Sequence, residues 1–123
     1  MSFTPEHFTV WAEIPVADLD RAIAFYNTVF DTELTKDETG PNPVAMFPTS
    51  TPGGVAGHLY PGKPAADGAG PTVHLACPGD LEATLGRVDA AGGKVLSGIE
   101  TIPAGRFAYC LDSEGNSLGI FAR

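Results

Sequence analysis

Three side chains in this 123-residue chain combine types and spacing that could do chemistry: Trp11, Glu13 and His74. A glutamate near a histidine makes an acid/base pair if both are drawn out of water, because their proton affinities then shift towards each other. Trp11 and Glu13 are two residues apart in "FTVWAEI", so on a strand they share one face. On that face the indole offers a flat surface for stacking a ring. An unpaired carboxylate is costly to bury, so Glu13 must be solvated, paired with His74 or an arginine, or functional. His7, in the lead-in "TPEHFTV", is given no role.

These residues sit in a phrase that the chain states twice. "FTVWAEIPVADLDRA" returns as "PTVHLACPGDLEA", with Thr72, Val73, His74 and Pro78 falling on Thr9, Val10, Trp11 and Pro15. After a gap of one residue before Asp18, Asp80 and Leu81 fall on Asp18 and Leu19. In the same register Leu96 falls on Leu34, "ETIP" on "ETGP", and Gly115 on Gly53. A single gap that carries the register to the end marks a duplication, and it sets His74 where the first copy has Trp11.

Each copy reads as a strand, a helix and three strands. Pro15 ends the first short β-rich run, and Asp18 is a suitable N-cap for a helix through about Phe30. Leu19, Ile23, Tyr26 and Phe30 line one face of that helix. In the second copy Asp80 caps, Leu81, Leu85 and Val88 form the stripe, and Gly92-Gly93 ends the helix. "ELTKDE", "VAMFPT" and "GVAGHLY" then correspond to "KVLSGIE", "RFAYCLD" and "NSLGIFA", and "DSEGN" turns the last hairpin. The expected organisation is a module over 8–59, a Pro/Gly/Ala linker over 60–71 and a module over 72–121. The fold class is α+β: two βαβββ modules whose mixed sheets enclose a cleft, with the helices outside it. Such a cleft is where a small-molecule ligand binds.

Composition narrows the partners. Seven Lys and Arg stand against fifteen Asp and Glu, a formal charge of −8, which repels nucleic acid and anionic lipid. No apolar run approaches the length that crosses a membrane, and the first residues lack the pattern of a secretory signal. The expected location is the cytoplasm, with no nucleic-acid or membrane partner. Cys77 and Cys110 match no redox or zinc spacing and read as free thiols on strands.

"IPVADLDRAIAFYNTVF", "LEATLGRVDAAGGKV" and "FAYCLDSEGNSLGIF" resemble the vicinal oxygen chelate superfamily, which includes glyoxalase I and the bleomycin-resistance proteins, from about Phe8 to Phe121. More narrowly they resemble its small bacterial glyoxalase-related members. The resemblance implies paired βαβββ modules around a cleft. In members with chelate chemistry, it implies a divalent metal held by the first and last strands of each module. By motif those four positions are Trp11, Gly57, His74 and Gly119 here. Tryptophan only donates and glycine has no side chain, so one ligand remains where about three are needed. No metal is expected at the family's position.

A register slip or bulge turning His58 inward would give a fallback set of His58, His74 and Glu13 for Ni, Zn, Co, Mn or Fe. The remaining positions on the expected cleft face are Trp11, Gly57, Leu59, Gly119 and Phe121, with Met46, Phe107 and Tyr109 by a looser register. The expected function is binding of a small organic molecule in this aromatic-lined cleft. The alternative is a lyase, isomerase or dioxygenase of glyoxalase type using an unusual metal set or Glu13 and His74. The resemblance further implies a homodimer, in some members with the cleft built from two chains.

Overall fold

The computed structural model describes residues 2–123. β1 (Ala12–Val16), β2 (Thr35–Asp37), β3 (Val44–Met46) and β4 (Gly57–Pro61) form one sheet in the order β1-β4-β3-β2. β5 (Val73–Ala76), β6 (Lys94–Val95), β7 (Glu100–Ile102), β8 (Gly105–Leu111) and β9 (Ser117–Ala122) form the other, in the order β5-β9-β8-β6 with β7 also on β8. β1 runs parallel to β4 and β5 parallel to β9, while the remaining pairs are antiparallel. Both sheets are therefore mixed, as a strand–helix–three-strand module requires, and the fold is α+β.

Helix α1 (Leu19–Phe30) starts where the capping residue places it, with Asp18 accepting from the Arg21 N–H at 3.0 Å. It ends at Asp31, whose φ of 48° turns the chain left-handed and lets the cap N–H reach the Asn27 carbonyl. The second helix, α2 (Leu81–Gly86), is shorter than its stripe suggests. Past Gly86 the bonds tighten, from Arg87 N–H to Thr84 O and from Val88 N–H to Leu85 O, and turns carry the chain on to Gly92 at φ 104°. Glycine is a poor helix residue, so propagation stops there. Three strand readings also shift. The first strand, β1, starts only at Ala12 and runs through Pro15 to Val16 instead of ending at that proline. "KVLSGIE" divides into β6 and the start of β7, and β4 runs to Pro61, two residues into the stretch read as linker.

One core serves both sheets. It joins Ile14, Val16, Ala45 and Leu59 of the first sheet, Phe25, Tyr26, Val29 and Phe30 of α1, Leu81 of α2, and Cys110, Leu118 and Ile120 of the second sheet. Polar contacts tie α1 to the second module. The Tyr26 hydroxyl donates to the buried Asp112, which also accepts from the Glu114 and Asn116 N–H groups. Burial, and then the neighbouring Asp112, push the Tyr26 phenol well above its ordinary pKa. Arg21 makes two bonds to Glu114, and Arg87 donates to the Val29 and Thr28 carbonyls at the far end of α1. The helices thus take up one face of each sheet, and the opposite faces stay free to carry chemistry.

Candidate functional site

Strand pairing decides which residues share those free faces, because directly paired residues point the same way. In the first sheet Ile14 pairs with Leu59 and Leu59 with Ala45, all buried against the helices. Glu13 pairs with His58 and His58 with Met46, so these three lie on the other face. Trp11, just before β1, joins them. Its indole N–H donates to His58 Nδ1 at 2.9 Å, and His58 Nε2 lies 3.3 Å from Glu13 Oε1. The result is a chain of three groups, indole to imidazole to carboxylate, with the imidazole mostly covered and the carboxylate open to water. The Tyr60 ring stands edge-on to His58.

The second sheet carries a different group. His74 pairs with Gly119, and Gly119 with Tyr109 across the next strand. The imidazole lies over Gly119 so closely that a β-carbon there would collide with its Nδ1 and Cε1. Phe107 and Phe121 stack with centroids 5.7 Å apart, and His74 meets both of them and Tyr109 edge to face at 5.3 to 6.0 Å. Glycine at 119 is what lets the histidine lie down among three aromatic rings. The surface so formed is part-open: His74 is exposed, and Tyr109 retains 38% of its accessibility.

This surface borders a cleft of about 940 Å³ between the two modules. His74, Phe107 and Phe121 line one side of it, and Phe30, Phe47 and Ala12 the other. The wall is mainly apolar, which suits an organic ligand with a hydrophobic body.

The structure separates residues that the repeat had grouped. Trp11, Glu13 and His58 come together, whereas His74 forms its own cluster with Tyr109, Gly119 and Phe121. Leu59 is wholly buried in the core, and Gly57 shares its face, lining the cleft from the helix side. The cause is register. Taking Trp11 for His74 and Gly57 for Gly119 sets Trp11 opposite Gly57, but it is Ala12 that pairs with Gly57. The one-residue slip turns His58 onto the face of Trp11 and Glu13 and sends Leu59 to the core. A signal for this was present in "GHLYP": its one aliphatic residue, Leu59, marks the core face and leaves His58 and Tyr60 for the other.

The donor set does not fit the divalent metal that the resemblance implies. Among the described residues no three His, Cys, Asp or Glu side chains gather closely enough to hold an ion. Glu13 and His58 supply two donors, and His74 is not in their group. Burial pushes the Cys110 thiol up to about 11, so it does not stand as an available thiolate, and the half-buried Cys77 joins no group of donors. No described helix is long and apolar enough to cross a membrane.

Comparison with known proteins agrees with the fold. A family model described as Glyoxalase/Bleomycin resistance protein/Dioxygenase superfamily matches residues 6–120. Among solved structures, a glyoxalase/bleomycin resistance protein from Albidiferax ferrireducens superposes with a TM-score of 0.73 at 17% identity, over 95% of this chain and 99% of that one. A hypothetical protein from S. aureus gives 0.72 at 14% identity, over 97% and 100%. Glyoxalase I from Zea mays gives 0.68 at 20% identity, over 92% of this chain but 45% of that one. At these identities the likeness shows the fold alone. No curated protein matches the chain.

Proposed function

Because the chain belongs to the glyoxalase/bleomycin resistance protein/dioxygenase superfamily, we propose that it uses the family cleft to bind a small organic molecule, without a metal at the family's position. The observation that carries this reading is the packing of His74 over Gly119 among Phe107, Tyr109 and Phe121. At two paired positions where chelating members place ligands, this chain holds an aromatic-faced surface beside an apolar cleft. A planar ring of the ligand stacks on Phe107 and Phe121, and His74 supplies one hydrogen bond to fix its orientation. The reading includes a homodimer, in which a second copy covers part of the free sheet faces, and a cytoplasmic address consistent with two free thiols.

The test is a ring-compound library screened by chemical-shift mapping on ¹⁵N-labelled protein. Binders perturb Tyr109, Gly119 and Phe121, and Phe121→Ala weakens them by about threefold to tenfold, the worth of one aromatic contact. Binders that map elsewhere, or affinity unchanged in Phe121→Ala, would remove this reading.

A second reading draws on the 3.3 Å contact between His58 and Glu13. An imidazole and a carboxylate at that distance form an acid/base pair for proton transfer next to a carbonyl, as a glyoxalase-type lyase or isomerase needs. In this version His58, rather than His74, is the partner of Glu13. Turnover lost in both Glu13→Gln and His58→Gln, yet kept in His74→Gln, is its expected signature.

A further inference from the structure

Trp11 stands where the repeated phrase exchanges an imidazole for an indole, and its one polar atom is spent on His58. We propose that Trp11 is a positioning residue that fixes the His58 proton on Nε2, closing the Glu13–His58 pair to metal ions and keeping it for organic hydrogen-bond donors. This deepens the metal-free binding reading above, on which it rests.

An indole N–H only donates, so His58 Nδ1, 2.9 Å away, has to accept. A neutral imidazole carries one proton, which is left on Nε2. That atom lies 3.3 Å from Glu13 Oε1. Flipping the ring would put carbon atoms at both contacts, so the two polar neighbours together hold it one way round.

Metal ligation demands the reverse arrangement. A histidine that gives one nitrogen to a metal donates the other N–H to a carboxylate, a carbonyl or water. A metal at Nε2 would send the proton to Nδ1, where it would meet the indole N–H, donor against donor. A metal at Nδ1 would have to displace the indole itself. Suitable outer partners change metal affinity by about 10- to 100-fold, and here the acceptor has been replaced by a donor.

What a ligand finds instead is the remaining capacity of Glu13, whose side chain is 68% exposed, and the part-open face of Trp11. A carboxylate only accepts. The ligand group that suits this corner is therefore an N–H donor, ammonium or amide, carried on a body that lies against the indole.

The tautomer can be measured on the unmodified full chain, labelled with ¹⁵N and assigned through the backbone, by long-range ¹H–¹⁵N correlation, followed upward in pH until the His58 ring ¹⁵N shifts stop changing. His58 is expected with its proton on Nε2, and Trp11→Phe is expected to release the Nδ1–H form. In parallel Ni and Zn are titrated by calorimetry into wild type, Trp11→Phe and Trp11→His, each also on a His58→Ala background so that only His58-dependent binding is counted. That binding is expected to tighten at least about tenfold in Trp11→Phe, and further in Trp11→His, where a third donor joins the same face. A wild-type His58 protonated on Nδ1, or equal His58-dependent affinity in wild type and Trp11→Phe, overturns the proposal. The wild-type spectrum decides even if a substitution unfolds the chain. Failure of ring compounds to bind near His74 would end the function proposed above and leave the tautomer result standing.

Discussion

Glu114 offers the sharpest test of how the two modules are joined. Its side chain is fully covered, yet it accepts from the Ala17 and Asp18 N–H groups at the start of α1 and from both Nε and Nη2 of Arg21. The Arg21 bonds, helped by Ser113 and the Asp18 N–H and opposed by burial, lower its pKa from 4.5 to about 2. A carboxylate with a depressed pKa stabilises the fold above its unfolded value and loses that contribution as pH falls through its folded value. A drop from 4.5 to about 2 corresponds to about 3 kcal/mol at neutral pH. The Arg21 side chain is 56% exposed, and solvent screening brings the figure to about 2 kcal/mol. Glu114→Gln keeps the shape and one acceptor but removes the charge. Urea unfolding is expected to show the variant about 2 kcal/mol less stable at about pH 7, with the gap narrowing to about 1 kcal/mol at about pH 3, where Glu114 of the unfolded wild-type chain is protonated while the folded one is still ionised. A gap below about 0.5 kcal/mol at neutral pH, or one that stays constant with pH, would refute the reasoning.

Other outcomes follow from the same geometry. Leu59→Ala should cost about 2 to 5 kcal/mol in denaturant unfolding, because the side chain is fully buried in the shared core; a cost under about 1 kcal/mol would return Leu59 to the open face. Gly119→Ala forces its new methyl against the His74 ring, and should shift the His74 and Phe121 resonances and lower stability by about 1 to 3 kcal/mol. Unmoved His74 signals would count against the ring lying over Gly119. Cys110, with its pKa raised to about 11, should resist a thiol reagent at mildly alkaline pH until the protein unfolds, while the half-buried Cys77 reacts first; two thiols reacting together in the native state would contradict the burial.

Much of the fold was legible because it rests on local chemistry. Asp18 and Asp80 cap helices as their types require, and the stripe from Leu19 to Phe30 gives α1 its buried face. The duplication shows in the repeated phrase alone, and with it the pair of mixed sheets. The shorter α2 was less legible, since its stripe continues past Gly86, where the backbone turns.

The candidate site was legible by residue type rather than by grouping. Trp11, Glu13 and His74 stand out in the sequence, but whether His58 or Leu59 joins Glu13 depends on whether β1 meets β4 with Trp11 or with Ala12 opposite Gly57. A slip of one residue exchanges the faces of a strand at no cost in local propensity. The choice is made by what packs on the far side, where Ile14, Leu59 and Ala45 close against α1. Sequence alone therefore determined the helix caps, the duplication with its pair of mixed sheets and the absence of a full ligand set at the motif positions. Only the tertiary structure decided that an indole hydrogen bond holds His58 beside Glu13 and that glycine lays His74 among aromatic rings, because both depend on contacts between strands far apart in the chain.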